Sequence, residues 1–310
     1  MFTKKIVSVR LFGEADMQVR YQEYLPAAIR AHHNLFPGWI YRIYHDHRIE
    51  QGPYYRAMRA LHERGLLELR FVSADVQIEK AMLWCLLPLW DDTVDIFVIR
   101  DVDMIACYRE RRAEEEWLRS GLAFHALSDK RGVHDWPTLN GMLGFRVRKA
   151  RNLLNAGGSN YYAATLEDFF RRADWTEGQW SSNYRGSGPG ADVQHRVSPL
   201  TTNNQFFLAT QIWLRVRDHA CEHRLSGSRT FGAKLSLTEV CAFEGEDLDV
   251  AEAIRTNSDA FIPYIGASRT HVPTMNLDRI VDFYREHGDP SVEQAITECE
   301  QISTDVIPVE

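Results

Sequence analysis

The sequence predicts an α/β fold: a mostly parallel sheet flanked by helices, with helical additions at its C-terminal end. Three observations predict it. Over the first hundred residues, apolar runs of strand length alternate with segments of helical spacing, as in a parallel sheet covered on both faces. The run Asp95-Ile96-Phe97-Val98-Ile99 is short and rich in β-branched and aromatic residues, and reads as a buried strand. It stops abruptly at Arg100-Asp101-Val102-Asp103, so two carboxylates stand at the carboxyl end of a strand, where open α/β sheets place ligands.

The elements follow in order. Lys5 to Phe12 reads as a strand closed by Gly13, and Tyr21, Tyr24, Leu25, Ala28 and Ile29 recur at helical spacing. Pro37-Gly38 is a turn, and Trp39 to Tyr44 is a strand ending at His45-Asp46. Tyr54 to Arg64 is a helix stopped by Gly65, and Leu67 to Val72 is a strand. Ser73 is placed to cap a helix through Leu86. After the acidic pair, Glu110 to Arg119 is a charged helix, and Leu122 to Leu127 is a strand ending at Ser128-Asp129. Trp136 to Val147 holds a strand entered through a glycine kink at Asn140-Gly141, where a ligand or another backbone can approach closely. Thr165 to Asp168 opens a helix, and Trp175 to Asn204 is a long Gly-, Ser- and Asn-rich loop of the kind that forms lids and binding loops. Gln205 to His219 is a helix. The end is helical, with a Ser291…Gln294 capping box. No repeat or linker divides the chain, which reads as a single domain.

Composition narrows the class. The 310 residues are 45% hydrophobic and 25% charged, an ordinary globular balance. No apolar run approaches the roughly 18 residues that cross a bilayer. The start reads as a first strand and not a signal peptide, which places the chain in the cytoplasm. The 5 cysteines are scattered without Cys-x-x-Cys spacing, which argues for reduced thiols and against a disulfide framework or structural zinc. The net charge of -7 gives no general attraction to nucleic acid, although most of the basic residues are arginine, which suits bidentate phosphate contacts.

The acidic pair carries the chemistry. In an extended segment residues two apart share a side, so Asp101 and Asp103 would stand together and repel unless a cation lies between them. Hard oxygen ligands with open positions suit Mg²⁺ or Mn²⁺, which in turn hold substrate phosphates. A surface turn capping a helix is the competing reading of Asp-x-Asp.

Arg100-Asp101-Val102-Asp103 resembles the Asp-x-Asp segment of GT-A glycosyltransferases, which hold a nucleotide-sugar diphosphate through a divalent metal. The resemblance extends to a bacterial and viral group of such proteins. It runs through Leu11-Phe12-Gly13, Pro37-Gly38-Trp39, Glu116-Trp117-Leu118, Ser128-Asp129, Gly141-Met142-Leu143-Gly144, Asn204-Gln205 and His223. Two positions depart: the group often has Arg where Cys85 stands and Asp where Asn204 stands.

What the resemblance implies is a GT-A sheet with residues 1–107 as the half that binds the donor, a UDP-sugar. Residues 108–235 form the acceptor side and 236–310 a helical extension. Asp103 and Asp101 would bind the metal, with His223 as third ligand beside its plainer role as a solvated histidine. Val9, Arg10 and Leu11 would meet base and ribose largely through backbone groups, and Tyr21 would stack on the uracil or sit in the core. Arg100 would pair with Asp95 or contact the pyrophosphate, or else serve in a structural ion pair. Asp129 is the candidate catalytic carboxylate, or a turn residue. Asn140 and Gly141 would border the sugar, with His134, Trp136, Asn204 and Gln205 on the acceptor side; Asn204 could equally cap its helix. The expected acceptor is a saccharide or glycolipid. Hydroxymethylated pyrimidines of phage DNA are the alternative, and a nucleotidyltransferase or a non-catalytic sugar-nucleotide-binding protein are the further classes.

Overall fold

The structure is a computed structural model that describes residues 3–13, 21–52, 54–73, 81–128, 141–155, 208–224, 235–236 and 276–304. An eight-stranded sheet runs through it in the order β3-β2-β1-β4-β6-β5-β7-β8. The strands are β1 (Lys5–Leu11), β2 (Trp39–Asp46), β3 (Leu67–Ser73), β4 (Ile96–Ile99), β5 (Phe124–Ser128), β6 (Leu143–Arg146), β7 (Ala220–Arg224) and β8 (Leu235–Ser236). Only β6 runs against its neighbours; the other pairings are parallel. The fold is the expected α/β class with a mostly parallel sheet. The carboxyl ends of β1, β4, β5 and β7 therefore share one rim with the entry to β6.

Alternation along the strands divides the core. Val7, Val9 and Leu11 of β1 and Ile96 and Val98 of β4 pack on one face with α1 (Leu25–Leu35), α2 (Tyr55–Glu63) and Trp117 of α3 (Tyr108–Ser120). Ile6, Phe97 and Ile99 point to the other face, against the tight turns of Trp84–Trp90, α4 (Val147–Asn155) and the helical segment from Leu208 to Val216. The C-terminal helices α5 (Leu277–His287) and α6 (Pro290–Thr304) fold back on the N-terminal half. Arg30 of α1, wholly buried, pairs with Glu293 and Glu300 of α6, each at 2.7 Å.

Several expectations are corrected. Ser73 is the last residue of β3, paired with Asp46, and the start of the helix it was expected to cap lies outside the described residues. The segment read as a helix through Leu86 ends in 3-10 turns over Trp84–Trp90, because Pro88 has no N–H to continue an α-helix. Asp289 takes the capping role expected of Ser291: its Oδ1 accepts from Ser291 N at 2.9 Å and Val292 N at 3.4 Å. Strand β7 and helix α4 were not expected. No helix among the described residues is long and apolar enough to cross a membrane.

Candidate functional site

The site forms where the strand order reverses. The chain builds β1, moves outward to β2 and β3, then returns to place β4 on the opposite side of β1. Such a switch point leaves a crevice at the carboxyl ends of the two strands. Arg10, near the end of β1, and Asp101, just past β4, face each other across it, with Nη2 and Oδ1 2.6 Å apart. Arg10 Nη1 also donates to Cys85 Sγ at 3.8 Å. Burial opposes the Arg10 charge, but Asp101, Cys85 and Asp103 outweigh it and raise the guanidinium's pKa.

The aspartates do not lie on an extended strand as expected. Met104 N donates to Asp101 O at 3.1 Å, closing a turn over Asp101-Val102-Asp103-Met104. The turn still keeps the two carboxylates near common neighbours. Both act on Arg10, and both, after burial itself, raise the pKa of the Tyr41 phenol on β2. Asp103 is half-buried. At the adjacent end of β1, Gly13 has φ +112° and donates its N–H to Asp46 Oδ2 at 3.2 Å. This bond shapes the turn that leaves Val9, Arg10 and Leu11 at the rim. Tyr21 packs against the α1-side core, the plainer of its two expected roles.

Arg100 takes the structural one of its expected roles, with glutamates and not Asp95 as partners. Its side chain faces away from Asp101 and is buried under α3. Nε donates to Glu110 Oε1 and Nη2 to Glu114 Oε1, both at 2.5 Å. Nη1 donates to Ile99 O at 2.5 Å and, at 3.4 Å, to Gly141 O. Asp95 instead accepts from Lys4 N at 2.8 Å. With its N–H groups committed this way, Arg100 is the staple that joins the end of β4 to α3 and to the entry of β6. Burial raises the Glu110 pKa despite Arg100. For Glu114, His125 and Arg100 outweigh burial and hold it below its usual value.

His223 is also placed away from the aspartates. It lies on β7, opposite Leu127 of β5, fully buried on the α3 side of the sheet. Its Nδ1 is 2.8 Å from His125 Nε2, and its Nε2 is 3.4 Å from Glu116 Oε2. His125 Nδ1 faces Glu114 Oε1 at 3.3 Å. His125 and His223 thus share one buried hydrogen bond, and His223 Nε2 faces Glu116 on the other side. Burial and the neighbouring His125 push the His223 pKa down to about 2. Among the described residues no three His, Cys, Asp or Glu side chains converge as a metal cluster, so the expected triad of Asp101, Asp103 and His223 is not assembled.

Gly141 does lie at the site. Its φ is +132°, and a Cβ built on it would stand 2.6 Å from Asp101 Oδ2. Asp129, His134, Trp136, Asn140, Asn204 and Gln205 lie outside the described residues. Sequence reasoning missed Cys85 as the partner of Arg10, and Glu110, Glu114 and His125 as the buried supports of the rim. The helical spacing of Glu110 and Glu114 beside a strand-end arginine was the available signal.

The donor set fits a divalent cation of a particular kind. Two carboxylates on one turn supply hard oxygens, and among the described residues no third protein ligand joins them. Mg²⁺ and Mn²⁺ are held in this way, by one or two carboxylates together with substrate phosphates and water.

No protein-family model matches the chain, and no curated protein matches its sequence. Among solved structures, the glycosyltransferase GlyE of Streptococcus pneumoniae TIGR4 is similar with a TM-score of 0.42 and 11% identity, over 94% of this chain and 64% of that one. The chain thus spans less than two thirds of that protein. The 4-diphosphocytidyl-2C-methyl-D-erythritol synthase of Anaerococcus prevotii DSM 20548 is similar with a TM-score of 0.33 and 8% identity, over 55% of this chain and 84% of that one. At these values neither likeness carries an argument about chemistry.

Proposed function

We propose that the chain is a metal-dependent GT-A glycosyltransferase that moves a sugar from a nucleoside diphosphate sugar, a UDP-sugar, to a hydroxyl of a saccharide or glycolipid. The observation that supports this reading is the Asp101–Asp103 turn at the sheet's switch point, flanked by the ends of β1 and β4. Asp103 and Asp101 would hold Mn²⁺ or Mg²⁺. The cation supplies charge neutralisation of the departing diphosphate. The ends of β1 and the Gly13 turn bind base and ribose, and Gly141 keeps the sugar side of the crevice free of a side chain. Asp129, next in the chain after the last residue of β5, is the candidate base for the acceptor hydroxyl.

A thermal-shift screen of nucleotide sugars with and without Mn²⁺ tests this reading. A ligand that binds only the folded state raises the melting temperature. The expected result is a shift with a UDP-sugar only when metal is present, lost in Asp103→Ala, and release of UDP when an acceptor is added. A shift that ignores metal, or survives Asp103→Ala, overturns it. A salt titration of binding to duplex DNA separates the acceptor classes, because phosphate contacts make affinity fall steeply with salt.

A further inference from the structure

We infer that Arg10 is a resident counter-cation for Asp101, which keeps the affinity of the nucleotide-free protein for a divalent cation low. The inference rests on the donor-site reading above. Arg10 comes from the strand beside β4 and is only 8% exposed, so its guanidinium is held against the crevice and cannot swing into solvent. It meets Asp101 Oδ1 at 2.6 Å, and Cys85 Sγ braces it from behind at 3.8 Å. A short thiol at position 85 leaves room for the guanidinium. On the other side, the backbone at Gly141 closes on Asp101 Oδ2, where a Cβ would stand at 2.6 Å. Asp101 is thus engaged at one oxygen and hemmed in at the other.

The electrostatic consequence follows directly. Arg10 already cancels the Asp101 charge, so a divalent cation approaching the turn meets Asp103 and a fixed positive group together. Repulsion between a +2 and a +1 charge a few ångströms apart offsets much of what one carboxylate supplies. A diphosphate brings several negative oxygens and reverses this balance. Metal and nucleotide therefore bind as a pair, and Arg10 sets the order.

The test is Mn²⁺ binding to the full chain without nucleotide, followed by the EPR signal of free Mn²⁺, in the wild type and in Arg10→Met, Arg10→Lys, Asp101→Asn and the Arg10→Met/Asp101→Asn double variant. Arg10→Met should bind Mn²⁺ at least about tenfold more tightly than the wild type. Arg10→Lys should stay near the wild type, and the double variant should lose the gain. Asp101→Asn alone, which does not depend on the folding of the Arg10 variants, leaves the Arg10 charge uncompensated and should bind Mn²⁺ without nucleotide at least about fivefold more weakly than the wild type. An Arg10→Met protein that binds Mn²⁺ no better than the wild type, or an Asp101→Asn protein that binds it as tightly as the wild type, overturns the inference. Adding UDP tests the other reading separately. If UDP and Mn²⁺ fail to bind together in every protein, the donor-site reading falls, and the role of Arg10 is judged on the nucleotide-free comparison alone.

Discussion

Gly141 approaches Asp101 so closely that a Cβ on the glycine would lie 2.6 Å from Oδ2 and 3.0 Å from Cγ of the aspartate. The glycine also holds φ +132°, which side-chain-bearing residues rarely adopt. Two independent constraints therefore fix the residue at the entry to β6.

Gly141→Ala should cost about 1–3 kcal/mol of stability through backbone strain, and should displace Asp101 because Arg10 leaves that carboxylate little room to retreat. Urea denaturation measures the first effect. A weakened Mn²⁺-dependent UDP shift at unchanged fold measures the second.

Arg100 is buried between Glu110 and Glu114. Arg100→Met would leave two buried carboxylates uncompensated and should destabilise the fold by about 3–5 kcal/mol. Arg100→Lys should recover only part of this, because an ammonium cannot reach both glutamates and the Ile99 carbonyl from one planar fork. Denaturant midpoints of the two variants provide the comparison.

His223 and Asp103 should separate cleanly. His223→Ala removes a link in the buried chain to His125 and Glu116 and should lose about 1–3 kcal/mol, while retaining the Mn²⁺-dependent UDP shift. Asp103→Ala, at a half-buried turn position, should keep stability and lose the shift. Loss of the shift in His223→Ala at unchanged stability would restore that histidine as a metal ligand.

His32 sets an acid limit. It is buried in α1, with Nε2 3.2 Å from Trp39 O, and burial with His33 beside it pushes its pKa down to about 3. An unfolded histidine titrates near 6.5. Between these values the unfolded state binds more protons, so stability is full above pH 6.5 and falls as pH drops toward 3. The loss between pH 7 and pH 5 should be about 2 kcal/mol from this residue. His33, also lowered by burial, acts in the same direction. Denaturation at a series of pH values should show the slope, reduced in His32→Gln.

Much of this was legible in the chain. Strands β1 to β4 announce themselves through apolar runs, and α2 and α3 through helical spacing and glycine stops. Strand β7 was hidden, since Ala220-Cys221-Glu222-His223-Arg224 shows no apolar alternation. His223 is buried there because His125 of β5 and Glu116 of α3 meet it, and partners that distant leave no local pattern. Helix α4 was hidden by length, although Val147, Ala150 and Leu154 fall on one face and all are buried. The aspartates were found as a pair, but by the wrong local geometry: an extended segment was expected, and a closed turn does the work.

The sequence by itself determined the alternation of strand and helix and the placing of two acids after a buried strand, because periodicity and strand ends are local properties of the chain. Only the tertiary structure decided which cations those acids meet. Whether an arginine faces a carboxylate or a buried glutamate depends on strand order and on which side of the sheet it leaves. Arg10 and Arg100 come from neighbouring strands, at levels nearly side by side, yet point to opposite faces.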